Sequence, residues 1–168
     1  VGTKKIKSFL KKGFVVVIPG FQGVNSKGDV TTLGRGGSDL TAVALASALK
    51  ASHCELLKDD VDGIYTADPR LYKRAKKINY ISYPEMLEMS SLGSKVLQAK
   101  AVEYANNLQV KLYVKSTSKT STRGTWVMDE KNIPIKEKRI ITGITHDLKQ
   151  SKITVSGIED IPGVASKI

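Results

Sequence analysis

The sequence predicts an α/β fold, a three-layer α/β/α sandwich with a mainly parallel sheet, and two observations carry that prediction. Short apolar runs rich in β-branched residues (Phe14-Val-Val-Val-Ile18, Cys54-Glu-Leu-Leu57, Val110-Lys-Leu-Tyr-Val114, Thr125-Trp-Val127) alternate with longer stretches whose apolar residues recur at helical spacing. Strands separated by helices pair in parallel and need helices over both faces of the sheet. The composition agrees: the 168 residues are 40% hydrophobic, 26% charged and only 6% aromatic, which excludes a disordered chain, a collagen-like repeat or a coiled coil. One or two compact domains fit this length.

Taken in order, Lys4 to Lys12 sets Ile6, Phe9 and Leu10 among lysines and reads as an amphipathic helix. It leads into Phe14 to Ile18, a continuous apolar run expected to be a buried strand that Pro19-Gly20 ends. Asn25-Ser-Lys-Gly28 is turn chemistry, so Gly23 to Thr32 is an excursion beyond the strand end. A second helix is expected from about Asp39 to Ala51, capped by Ser38 or Asp39, with Leu40, Val43, Ala44 and Ala48 as a narrow packing face. Cys54 to Leu57 is the next strand, and a polar loop from Asp59 to Arg70 follows it directly. A long helical stretch from Pro84 to about Asn107 carries a break at Gly93, and the last two strands come after it. From Ile140 the pattern changes to two strand-like runs, Ile141 to Ile144 and Lys152 to Ser156. The expected organisation is a first unit over 1–128, a Lys- and Glu-rich linker over 129–139, and the beginning of a second unit over 140–168.

Several functional classes drop out. The apolar run at Phe14 to Ile18 falls far short of the roughly 20 residues of a membrane-spanning helix, so no membrane partner is expected. Val1 starts the chain without an initiator Met or a signal segment, which suggests a piece of a longer protein. Cys54 is the only cysteine, which rules out a disulfide within the chain and favours a reducing, cytoplasmic compartment. The formal charge is +11, with 27 Lys and Arg against 16 Asp and Glu. These cations are scattered without the basic and aromatic motif of a nucleic-acid-binding fold, so no nucleic acid is expected. His53 and Cys54 would point to opposite faces of a strand, His146 is isolated, and no metal site is expected.

Two loops hold the chemistry. Gly34, Gly36 and Gly37 precede a helix with Arg35 among them, so backbone N–H groups and a guanidinium can meet an anion at the positive end of a helix dipole. A tight turn with no function is the alternative for the glycines alone. The second loop follows a strand end, where ligands of open α/β sheets sit. In it Asp59 or Asp60 could bind a ribose hydroxyl or orient a metal, Tyr65 could stack on a base, and Arg70 could meet a phosphate. Its Asp-Gly and Asp-Pro pairs also occur in ordinary turns. Lys95, beside Gly93 at a helix opening, is a further cation, with a plain surface lysine as its alternative.

Taken together and in this order, Pro19-Gly-Phe-Gln-Gly23, Thr31-Thr-Leu-Gly-Arg-Gly-Gly-Ser-Asp39, Asp60-Val-Asp-Gly-Ile-Tyr-Thr-Ala-Asp-Pro-Arg70 and Glu88-Met-Ser-Ser-Leu-Gly-Ser-Lys-Val-Leu97 resemble the aspartate kinase family. The stretch Ile141 to Ser166 resembles the opening of that family's regulatory ACT region. The resemblance implies the amino acid kinase fold over 1–128 and the truncated start of a ferredoxin-like ACT domain over 140–168. It implies transfer of the γ-phosphoryl group of Mg-ATP to the side-chain carboxylate of L-aspartate, giving 4-phospho-L-aspartate at the start of lysine, threonine and methionine biosynthesis. Asp39 and Arg35 take catalytic roles by this resemblance. Phe21, Arg35, Gly36, Gly37 and Ser38 hold aspartate, while Asp59, Asp60, Tyr65, Arg70, Lys95 and Val96 hold ATP, with Mg²⁺ arriving on the nucleotide. Asp59 stands where many members carry Thr, and Gln98-Ala99 replaces a frequent His-Pro pair. The family's Lys-Phe-Gly-Gly-Thr-Ser segment, which supplies a catalytic lysine, is not in this chain, so the chain alone is expected to be inactive and the complete enzyme a homo-oligomer. Another amino acid kinase, or a non-catalytic nucleotide-binding or regulatory chain, is the alternative reading.

Overall fold

The computed structural model describes residues 2–119 and 121–146. Its main sheet has four strands in the order β3 (Cys54–Lys58), β7 (Leu112–Ser116), β8 (Thr125–Met128), β6 (Tyr80–Ser82). The pairings of β3 with β7 and of β6 with β8 are parallel, and that of β7 with β8 is antiparallel. The sheet is therefore mixed, with two of its three pairings parallel. Alternation along the strands sends Leu56, Leu112, Val114, Val127 and Ile81 to one face, where they are buried. There α2 (Gly37–Leu49) packs on β3, α3 (Tyr83–Ser91) packs on β6 and β8, and α4 (Ala99–Asn107) packs against both α2 and α3. Val43, Met86, Leu97 and Val102 complete this core. The opposite face carries Glu55, Leu57, Tyr113, Lys115 and Trp126, exposed or half-buried, with the Trp126 ring against those of Tyr113 and His53. Among the described residues the helices thus cover one face of the sheet.

Two small antiparallel ribbons flank this unit. In the first, β1 (Gln22–Val24) pairs with β2 (Val30–Thr32), and the Asn25 side-chain oxygen accepts from the Lys27 and Asp29 amides to close the turn. In the second, β4 (Ile64–Tyr65) pairs with β5 (Lys77–Ile78). The break at Gly93 is real: this glycine has φ of +117°, α3 stops at Ser91, and the chain turns before α4. At the start of α3, Ser82 and Glu85 form a reciprocal capping box, with Pro84 in the first turn.

Two expectations need correction. Phe14 to Ile18 forms no strand; Val15 and Val17 are 92% and 90% exposed. A run that is apolar on both sides needs neighbours along both edges and cover on both faces, and the described residues supply neither. The preceding helix α1 (Lys4–Lys11) forms where it is expected, with none of its side chains buried among the described residues. Helix α2 begins two residues early, with Gly36 as its N-cap and no side-chain cap, because Gly36 has φ of +78° and turns the chain before Ser38 can occupy the capping position.

The segment expected as a linker packs on the first unit. Asn79 Nδ2 donates to Glu137 at 3.2 Å, the Thr142 hydroxyl donates to Glu85, and the Ile144 amide donates to the Thr66 carbonyl at 2.8 Å. Residues 147–168, which hold most of the expected ACT opening, lie outside the described residues.

Candidate functional site

The glycine loop is shaped for close approach. A Cβ on Gly36 would come within 2.4 Å of Gln98 Cγ, and one on Gly37 would meet both Phe21 and Leu33 at 3.0 Å. Small residues here let the loop touch two distant segments at once. Phe21 itself sits at φ +68°, unusual for an aromatic residue. Its amide donates to Thr41 Oγ1 at 3.1 Å, its carbonyl accepts from the Leu33 amide at 3.0 Å, and the Thr41 hydroxyl donates to the Gly37 carbonyl at 2.7 Å. The strained residue is therefore clamped onto the first turn of α2.

A cavity of about 280 Å³ opens at that turn. Phe21 and residues Gly36, Gly37, Ser38 and Asp39 form one side, Lys95, Val96 and Gln98 the other, and Lys58 lies between them. No side chain caps α2; the Gly37 amide donates to the Gly34 carbonyl and the Leu40 amide to the Gly36 carbonyl, which leaves the Ser38 and Asp39 amides for a ligand, and the helix dipole favours an anion there. Asp39 is held by Lys58 at the carboxyl end of β3, whose Nζ donates to both carboxylate oxygens at 2.8 and 3.1 Å. Lys95 is exposed at the rim. The free amides of the α2 N-terminus and the Lys95 ammonium make a place for phosphate or carboxylate oxygens.

The second expected cluster is organised differently. The Tyr65 hydroxyl donates to Asp62 at 2.8 Å, and Lys77 Nζ donates to the same carboxylate at 2.8 Å and to the Arg123 carbonyl at 2.9 Å. Burial raises the Asp62 carboxyl, but the Lys77 and Tyr65 hydrogen bonds and the Lys77 charge outweigh it and hold the group below the usual carboxylate range. Burial and the Asp62 carboxylate push the Tyr65 hydroxyl up to about 12. Arg70 forms a bidentate pair with Asp68 at 2.9 and 3.1 Å on the surface. That contact holds the Asp68 carboxyl below its ordinary range.

Of the expected aspartate-site residues, Phe21, Gly36, Gly37 and Ser38 line the cavity together with Asp39, and from the expected ATP set Lys95 and Val96 join them. Arg35 is exposed and does not line it, nor do Asp59, Asp60, Tyr65 or Arg70. Asp59 and Asp60 nevertheless follow Lys58 directly, so their loop leaves the sheet beside the start of α2. Sequence reasoning missed Lys58. The signal available was its position, the residue after an expected strand and before the acidic loop.

Comparison with known proteins gives a consistent answer. The sequence model of the Amino acid kinase family matches residues 1–116. The chain is 49% identical over 170 residues to an aspartokinase of Helicobacter pylori, an alignment that takes in 100% of this chain and 42% of that relative's length. Among solved structures, the aspartate kinase of Clostridium acetobutylicum superposes with a TM-score of 0.69 at 36% identity, over 79% of this chain and 30% of that one. Escherichia coli aspartokinase III in complex with aspartate and ADP gives 0.59 at 43% identity, over 66% of this chain and 24% of that one.

Proposed function

Because this chain belongs to the amino acid kinase family, we propose that its protein is an aspartate kinase, which transfers the γ-phosphoryl group of ATP to the side-chain carboxylate of L-aspartate. The observation that carries this reading is the single cavity in which Phe21 and the Gly36 to Asp39 turn face Lys95 and Val96. Support comes from the solved relative whose complex holds aspartate and ADP. The chain spans 42% of the length of the Helicobacter pylori relative, so the activity belongs to the whole protein.

The chemistry suits these residues. A side-chain carboxylate with an ordinary pKa near 3.9 is ionised at neutral pH, so it attacks the γ-phosphorus without a general base. What the protein must supply is alignment and neutralisation of the charge spread over the transferring oxygens. The Lys95 ammonium supplies the neutralisation, while the Gly36 to Ser38 turn at the start of α2 and Arg35 position the aspartate. Mg²⁺, carried on the nucleotide, would neutralise further charge on the phosphate oxygens when bound. Asp59, Asp60, Tyr65 and Arg70 take the rest of the nucleotide from the neighbouring loop.

Steady-state kinetics of the full-length protein test the division of the site. Lys95→Ala is expected to raise the ATP KM. Arg35→Lys keeps the charge but loses the planar fork, and is expected to raise the aspartate KM by about one to two orders of magnitude with the ATP KM nearly unchanged. An Arg35→Lys enzyme that loses ATP and keeps aspartate would make the glycine loop a phosphate cradle and overturn the assignment.

A further inference from the structure

A carboxylate lines a cavity otherwise built for anions, and that needs a reason. Asp39 stands in the first turn of α2, where the helix dipole favours a negative charge. It also lines the same cavity as Lys95, into which phosphate or carboxylate oxygens would have to come. Left alone, this carboxylate would repel them. Both of its oxygens are engaged by Lys58, at 2.8 and 3.1 Å, and the two side chains are only 17% and 21% exposed. Ion pairs this sheltered are screened less than surface ones. Lys58 is fixed in turn, because its residue ends the parallel ladder of β3 with β7 opposite Ser116, and its carbonyl accepts from the Thr117 amide at 2.9 Å.

We propose that Lys58 is a positioning residue, which ties Asp39 to the end of the sheet and cancels its charge so that the cavity presents the net positive charge of Lys95 to an anionic ligand. The proposal rests on the reading that this cavity receives phosphoryl oxygens, and it gives a role to a residue that the motifs do not single out. On this account Lys58 and Asp39 act as one neutral unit. Removing the lysine alone leaves a carboxylate loose in an anion site, whereas removing both charges leaves the site close to its original sign.

The test is calorimetric titration of the full-length protein with two probes, tripolyphosphate and ADP, on wild type, Lys58→Arg, Lys58→Met, Asp39→Asn and the Lys58→Met/Asp39→Asn double variant. Thermal unfolding is recorded alongside. Lys58→Met is expected to weaken tripolyphosphate about tenfold, as for loss of one close charge partner. The double variant should recover to within about threefold of wild type, and Lys58→Arg should stay near wild type. A purely structural ion pair would shift the unfolding temperature and leave affinity alone, and that result overturns the proposal. So does a double variant as weak as Lys58→Met, which would mean that Lys58 touches the ligand itself. If wild type binds tripolyphosphate but not ADP, the nucleotide reading fails while the tripolyphosphate series still decides the role of Lys58. If it binds neither probe, both fail.

Discussion

Replacing Thr125 by Val should unfasten the ribbon that leads into the loop of Tyr65 and Arg70. Thr125 is fully buried in β8, and its hydroxyl accepts from the Ile64 amide at 2.8 Å and donates to the Ile78 carbonyl at 2.5 Å. Ile64 and Ile78 stand opposite one another in the ribbon of β4 and β5. The hydroxyl therefore stands between two facing backbone groups and takes the place of a ladder hydrogen bond, joining the ribbon to the main sheet. Valine keeps the shape and loses both bonds, leaving a buried N–H and a buried C=O without partners. At about 1–3 kcal/mol for each orphaned group, the expected destabilisation is roughly 2–6 kcal/mol. Thr125→Ser keeps the hydroxyl and loses one methyl, so it should cost only about 1 kcal/mol. Urea unfolding of the full-length protein gives the stability difference, and amide exchange at Ile64 reports the local fastening. A valine variant within about 0.5 kcal/mol of wild type, with the Ile64 amide still protected, would refute the argument.

Two pH-dependent predictions follow from the buried Cys54 and the half-buried Glu85. Burial, together with the Asp39 and Glu55 carboxylates, pushes the Cys54 thiol up to about 11 from an ordinary 9.0. Iodoacetamide at pH 8 should therefore label Cys54 only after unfolding, and stability should fall as pH rises from 9 toward 11, because the unfolded thiol ionises first; rapid labelling of the native protein would contradict this. Burial raises the Glu85 carboxyl, but hydrogen bonds from Ser82 and Thr142 more than offset it and hold the group below its usual range. Its contribution is then present above the unfolded value near 4.5 and lost as pH falls through the lower folded value. Glu85→Gln should thus cost about 1–2 kcal/mol at pH 7 and progressively less in acid, and a cost that does not change with pH would remove the carboxylate from the cap.

What could be read beforehand was the chemistry that acts within a few residues. Asn25 to Gly28 forms a turn because an Asn side chain bonds its own following amides, and Gly93 breaks a helix through its own backbone freedom. The glycine loop was visible for the same reason. Phe14 to Ile18 was misread because burial is not a local property: the β-branched run states what the segment needs, not whether the neighbours are there. Lys58 was missed because its meaning lies 19 residues away in Asp39. The Tyr65 hydroxyl turns to Asp62, a carboxylate that Lys77 also claims from the facing strand, and that three-way contact joins residues up to 15 positions apart. The motif Asp-Val-Asp-Gly could be recognised but not explained. Its Gly63 is required because a Cβ there would lie 2.8 Å from Thr125 Oγ1, at a φ of +148° that other residues avoid.

The width of the cavity is itself a product of the core. Its two sides come from the residues that open α2 and from those that lead into α4, and these helices pack directly on one another. The buried contributions are small: Val43 and Ala46 from α2, Ala101, Val102 and Ala105 from α4. Short side chains let the two axes approach, and Gly36 can then come against Gln98 with no room for a Cβ between them. A larger residue at Ala46 or Ala101 would act on ligand binding from within the core, by parting the helices and drawing Lys95 away from the α2 amides. Phosphoryl transfer depends on alignment within fractions of an ångström rather than on a proton carrier. For the reaction proposed above, an alanine in a helix contact belongs to the site as much as a lysine at its rim.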